Sequence, residues 1–246
     1  MSVFHNNALI GSGAGTAAAA ATGLIKSVRF NDDDSAYLNR TPSSAGNRKT
    51  WTFAAWIKRS SSSNQRIFTA GSSGSAASII EFVGSGGHDF IEVSNYSGSY
   101  TARKRTVARM RDFSAWYHLV VKVTSSTLDI YINGVQADID SSYNTNPNNS
   151  DWYFNSTVVH RLGRTAWGSE YFDGYLADVY FIDGQALDPT SFGAFDDNGV
   201  WQRAEYSGTY GTNGFHLFDF ANESGIGSDS SGNDNDFTVN NITPAT

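Results

Sequence analysis

From Ser27 onward the chain repeats one pattern: short runs in which apolar and polar residues alternate, separated by turns rich in Gly, Ser and Asn. Side chains on a strand point alternately to opposite faces, so a period of two requires sheets with one buried face. No 12-residue window carries the stripe of an amphipathic helix. WTFAAWIKR places Trp51, Phe53, Ala55 and Ile57 on one face, and WYHLVVKV does the same for Tyr117, Leu119, Val121 and Val123. In TLDIYINGVQAD, Leu128, Ile130 and Ile132 precede Asn133-Gly134, the pair best suited to the positive φ angles of a type I′ turn, and Val135 and Ala137 follow. A hairpin is expected there. Further strands are expected at SVRF, RIFTAG, SIIEFV, FIEVSNY, VVHRLG, YLADVYFID and FHLFDF. Roughly a dozen strands with such turns imply an all-β sandwich or jelly roll.

Composition narrows the class further. Aromatic residues make up 14% of the 246 residues and charged residues 17%, too many core-forming side chains for disorder and too little charge for a coiled coil. A net charge of −7 removes the general attraction to phosphate backbones, so no nucleic-acid partner is expected. With no cysteine, disulfides and thiolate metal sites are excluded, and the fold must be held by its core. No apolar run is long enough to span a membrane, and the small-residue run Ala17–Ala21 lacks the flanks of a signal peptide. Neither a membrane contact nor a signal peptide is expected.

Two segments are expected. Residues 1–26 are rich in Gly, Ala, Ser and Asn and have no hydrophobic face of their own; residues 27–246 form the jelly-roll domain. The first segment reads as an extended N-terminal arm, either a loose terminus or a strand-like segment ordered on a partner through Val3, Phe4, Leu9 and Ile10. DSSYNTNPNNSDWYFNST and ANESGIGSDSSGNDNDFTVNN read as long loops, where function usually sits.

Catalytic machinery is sparse. A retaining glycosidase needs two carboxylates about 5 Å apart, and no E-x-D-x-E strand supplies them. Glu81 and Glu92 read as single acids on half-exposed strands, although their strands are consecutive and could be antiparallel neighbours. Asp178 reads as a buried or edge acid holding loop backbone N–H groups. The five histidines (His5, His88, His118, His160, His216) show no metal-ligand spacing, His118 falls on the sheet face opposite Leu119, and no nucleophile elbow is present. No cofactor is expected. Ca²⁺ has weak candidates in Asp32–Asp34 and in Asp229, Asp234 and Asp236, without EF-hand spacing and equally readable as turn residues.

Binding has better candidates. Stacking on sugars needs aromatic faces beside amides and carboxylates. Trp152 and Tyr153 in SDWYFNS, Trp167, Glu170 and Tyr171 in RTAWGSEYFDG, and Tyr96 and Tyr100 in NYSGSY offer them, and the same residues suit a protein interface. The run ARKRTVARMR, with Arg103, Lys104 and Arg105 at its head, reads either as a charged edge strand or as a surface complementary to an acidic neighbouring subunit.

The phrases SVRFNDDDSAYLNRTPSSAGNRKTWTFAAWIKRS, RDFSAWYHLVV, LDIYINGVQ, RLGR, YFDGYLADVYFIDGQAL, NGVW, YGTNGFHLFDF and DSSGNDNDFTVNN follow one another in order. Together they resemble the laminin-G-like, concanavalin-A-like jelly-roll domain found in structural proteins of tailed bacteriophages, including marine ones. The resemblance covers Ser27 to about Asn241. It implies two curved antiparallel sheets and relatives that bind carbohydrates or proteins, and sometimes Ca²⁺, but no particular activity. The expected protein is a non-enzymatic virion component, a capsid decoration protein docked by its arm to other virion proteins, homo-oligomeric, assembled in the host cytoplasm and displayed on the virion surface. The alternatives are a tail or vertex appendage gripping host surface polysaccharide and, below it, a polysaccharide depolymerase.

Overall fold

The computed structural model describes residues 26–83, 89–220 and 224–242. The expected arm anchors Val3, Phe4, Leu9 and Ile10, and with them His5 and His88, lie outside the described residues.

The strands, in chain order, are β1 (Val28–Phe30), β2 (Tyr37–Arg40), β3 (Trp51–Arg59), β4 (Gln65–Ser73), β5 (Ala76–Val83), β6 (Phe90–Ser97), β7 (Tyr100–Thr106), β8 (Tyr117–Val123), β9 (Leu128–Ile132), β10 (Val135–Gln136), β11 (Ile139–Thr145), β12 (His160–Leu162), β13 (Gly174–Asp183), β14 (Gly193–Phe195), β15 (Trp201–Arg203), β16 (Phe215–Leu217) and β17 (Thr238–Asn240). Among the described residues there is no α-helix. A seven-stranded antiparallel sheet runs β1-β13-β3-β8-β9-β10, with β16 also on β13; an eight-stranded one runs β11-β7-β6-β5-β4-β12-β2-β17. The two pack face to face, and this sandwich is the all-β jelly roll that the alternation predicts.

Between the sheets lie the residues that the period-two reading places inward: Trp51, Phe53, Ala55 and Ile57 of β3, Leu119, Val121 and Val123 of β8, and Leu128 and Ile130 of β9. Opposite them are Phe68, Ile80, Phe82, Ile91 and Val93. Phe68 is the hub of an aromatic stack, parallel to Phe53 at 5.3 Å and to Phe154 at 4.6 Å. The β9–β10 turn carries Asn133 at φ 50° and Gly134 at φ 78°, as the type I′ expectation requires.

Segments without apolar alternation behave differently. Ile139–Thr145, read as part of a loop, is strand β11, held at the sheet edge by backbone pairing with β7. An edge strand with two wet faces needs no hydrophobic pattern, so periodicity does not reveal it. β17, in the Asn-rich tail, pairs with β2 for the same reason.

Trp152 is a correction. Its Asn- and Ser-rich neighbours suggest exposure, yet it is fully buried, edge-on to Trp51 at 5.1 Å, and its backbone N–H donates to the Arg48 carbonyl at 3.0 Å. It belongs to the core and contributes nothing to a ligand surface.

Candidate functional site

The outward face of the eight-stranded sheet is organised in transverse rows, because antiparallel register aligns every second residue of adjacent strands. One row runs Asn39, Arg161, Thr69, Ile79, Ser94, Arg103, Thr145 across β2, β12, β4, β5, β6, β7 and β11. The next runs Arg66, Glu81, Glu92, Arg105 across β4 to β7. Opposite charges therefore meet directly across strands at Arg66–Glu81 and Glu92–Arg105, with the two acids side by side between them.

Glu81 and Glu92 are accordingly neither half-exposed nor solitary. They face each other across β5 and β6 at 8% and 2% exposure. Arg66 is ion-paired with Glu81, while Glu92 accepts from Arg103 Nε at 2.8 Å and from Arg105 Nε at 2.7 Å. Burial pushes the Arg66 guanidinium below its usual range, and Glu170 and Glu92 act against that.

This pairing also corrects the partner-docking reading of the basic run. Arg103 and Arg105 find their carboxylate in Glu92, inside the same sheet, and Tyr143 of β11 covers both guanidiniums, at 4.4 and 3.8 Å. Lys104, on the opposite pleat, is buried with Asp129 at 3.9 Å, its ammonium pushed down by desolvation. β7 is no edge, since β11 covers it. Arg103 and Arg105 share the one Glu92 carboxylate, so these three cations are balanced inside the domain by two acids.

One side of the face is walled by the loop 164–171. It leaves β12 through Gly163 at φ 82° and closes with paired backbone bonds, Thr165 N–H to Glu170 O and Phe172 N–H to Gly163 O, each 2.9 Å. Three arginines hold it, Arg66 of β4 and Arg161 of β12 from the sheet and Arg164 from the loop itself. Arg161 donates to the carbonyls of Thr165 and Ala166 at 2.9 and 2.8 Å, Arg164 to that of Gly168 at 3.0 Å, and Arg66 to the Thr165 hydroxyl at 3.2 Å. The half-buried Trp167 reaches back over the β4–β5 turn, where a side chain on Gly74 would stand 3.3 Å from its Nε1. Glu170 is exposed and Tyr171 half-buried, in the same loop as Trp167.

The other expected aromatics lie at the far side. Tyr96 and Tyr100 meet edge-on at 4.8 Å at the β6–β7 turn, and Arg103 lies over Tyr100 at 4.2 Å. Tyr153 has its hydroxyl 3.3 Å from Ser97 Oγ, next to that turn. Arg66, Arg161, Arg164, Tyr37 and Tyr143 were missed by sequence reasoning; only strand register could have placed them on this face.

The remaining flagged groups are structural. Asp178 sits at a bulge in β13 with φ 52°, and its carboxylate accepts from Arg203 at 2.6 and 2.9 Å and from His216 Nε2 at 2.8 Å. Its partners are side chains and not the loop N–H groups expected. Those donors hold the acid low despite its burial. His118 lies on the outward face of the seven-stranded sheet, but Trp56 and Trp201 bury it. Beside it an open trough of about 560 Å³ is lined by Trp56, Trp116, Val135, Phe195, Val200 and Trp201. The carboxylate of Asp229 accepts from the backbone N–H groups of His216, Ser231 and Asn235, which organises the tail turn. Among the described residues no three His, Asp or Glu side chains are grouped as for a metal ion.

Residues 30–191 match the family model Laminin_G_3, the concanavalin A-like lectin/glucanases superfamily, and the chain belongs to this family. Solved structures resemble it more distantly. Domain 4 of the extracellular arabinanase AbnA from Geobacillus stearothermophilus is 19% identical with a TM-score of 0.47, over 58% of this chain and 65% of that one. A SAP-like pentraxin from Limulus polyphemus is 12% identical, TM-score 0.45, over 67% and 78%. Tailspike protein 2 of an Escherichia coli O157:H7 bacteriophage is 14% identical, TM-score 0.45, over 68% of this chain and 25% of that one. No curated protein matches the chain.

Proposed function

We propose that this is a non-enzymatic carbohydrate-binding domain of a phage particle, a head-decoration protein carried by its N-terminal arm, with the outward face of the eight-stranded sheet turned to host surface polysaccharide. The observation that carries the glycan reading is the loop 164–171, which sets Trp167, Glu170 and Tyr171 beside a sheet face furnished with guanidiniums and hydroxyls. Ring faces for sugar C–H surfaces and forked donors for hydroxyls are what such recognition needs. Membership of a lectin/glucanase superfamily supports it. The virion placement rests on the phrases shared with phage structural proteins.

Glycan arrays probed with the full chain test the binding. Trp167→Ala is expected to weaken a positive signal by about 2 kcal/mol, roughly thirtyfold, with an unchanged melting curve. Silence of the wild type on every glycan, and of particles carrying it, ends the reading. Copy number per particle separates head decoration from the runner-up, a tail or vertex appendage.

The acids of this face lack the division of labour that catalysis requires. A glycosidase needs one carboxyl to give a proton and another to attack or activate water. Glu81 and Glu92 stand opposite each other, but both are engaged by guanidiniums. No reducing ends are expected from algal or bacterial polysaccharides incubated with the protein. Product that vanishes in Glu81→Gln or Glu92→Gln would make it a depolymerase.

A further inference from the structure

We propose that the outward face selects anionic polysaccharide, and that a carboxylate or sulfate of the glycan is gripped by Arg161 and Arg164 where they lie on the rings of Tyr37 and Tyr171. This deepens the glycan-binding reading of the same face and rests on it.

The face carries five arginines, and their pairing is unequal. Arg66, Arg103 and Arg105 each have a carboxylate partner. Arg161 and Arg164 have none within ion-pair distance among the described residues. What they do have is carbonyl oxygens: one nitrogen of Arg161 serves Thr165 and Ala166, and Nε of Arg164 serves Gly168. These bonds fix the guanidiniums without neutralising them. The Nε of Arg161 is buried and has no acceptor, and the terminal nitrogens of Arg164 donate to no described residue.

Orientation comes from the aromatic rings. Arg161 and Arg164 lie 5.5 and 4.8 Å from the centre of the Tyr37 ring, and Arg164 lies 5.1 Å from that of Tyr171. A guanidinium stacked on a ring keeps its edge free, and that edge matches the two oxygens of a carboxylate or sulfate. Burial depresses Arg161, and Arg164 is close enough to add to that. Holding two like charges together favours an anion between or beside them, a local attraction that acts against the overall charge of −7. Tyr171 and Trp167 belong to the same loop, so the anion and the sugar ring that bears it would be held by one element.

The test compares binding of the full chain to three probes at low and high salt: polygalacturonate for carboxylate, dextran sulfate for sulfate, and unmodified dextran as neutral chain. At least tenfold tighter binding of one anionic probe than of dextran, weakened by salt, is expected. Arg164→Gln should remove most of that preference, and Arg164→Lys should restore part of it, since the charge returns without the fork. Lys122→Gln on the outward face of the other sheet should leave the preference intact. Equal binding of charged and neutral probes overturns the proposal and leaves glycan binding standing. So does an anionic preference that survives Arg164→Gln in a variant with wild-type circular dichroism. No binding of any probe or arrayed glycan overturns the glycan-binding reading itself.

Discussion

Acidification from pH 7 to about pH 4 is expected to remove roughly 6 kcal/mol of folding stability, a large share of what a domain ordinarily has. The cause is a pair of buried histidines held neutral. Nε2 of His160 accepts the backbone N–H of Asn155 at 2.9 Å, and Nδ1 of His118 accepts the indole N–H of Trp201 at 3.0 Å. Neither donor can become an acceptor, so protonating either ring breaks its bond inside a dry environment. Burial pushes both histidines from 6.5 down to about 4. As pH falls through 6.5 the unfolded chain takes up these protons first, so stability declines from there and levels off near 4, by about 3 kcal/mol for each ring. Asp178 adds a further loss below that range, because its folded-state acidity is raised by Arg203 and His216 and the benefit disappears on protonation. Urea unfolding at a series of pH values reads this out, and His160→Gln should flatten about half of the slope. A stability that stays constant between pH 6.5 and 4 would show that both rings are charged in the folded protein, and a decline of half the expected size that one of them is.

Trp152→Ala is expected to destabilise the domain by about 4 kcal/mol, whereas Trp167→Ala should stay within roughly 0.5 kcal/mol of wild type. Trp152 is fully buried against Trp51 and Phe154, so truncation leaves a cavity that two rigid sheets cannot close. Its indole N–H has no partner, so Trp152→Phe, which keeps the ring and discards that group, should cost about 1.5 kcal/mol or less. Chemical denaturation of the three variants distinguishes them. If Trp152→Ala melts like wild type, Trp152 is not part of the core.

The same pair of tryptophans shows how far the sequence could be read. Where a strand buries one face, alternation identifies both the strand and the side chains that point inward: β3, β8 and β9 were legible to the residue, and Asn133-Gly134 fixed a turn. Trp152 was not, because it sits among Asn, Ser and Asp, and what buries it is its position beneath β3, a contact about 100 residues distant in sequence. β11 escaped because a wet edge strand has no apolar signature. The loop with Trp167, Glu170 and Tyr171 was legible as a cluster of aromatic and acidic residues, but Arg66 and Arg161 beneath it come from β4 and β12 and become neighbours only through register. Glu81 and Glu92 were half-legible. Consecutive strands implied adjacency, while their guanidinium partners, on the strands to either side, reversed the inference about exposure.

The charges built onto the strands of this face, unlike Arg164 and Glu170 in the loop, limit how it can change. Arg161 and Arg103 stand in one row, separated by four strand steps of about 4.8 Å, and so lie about 19 Å apart along a rigid baseline. Any new cation placed in that row can fall only on a mark of the same ruler. Diversification of such a face therefore proceeds in fixed increments. A single substitution shifts the reading frame for a ligand's charges by one strand width, without remodelling a loop or disturbing the aromatic stack on the inner side of the sheet.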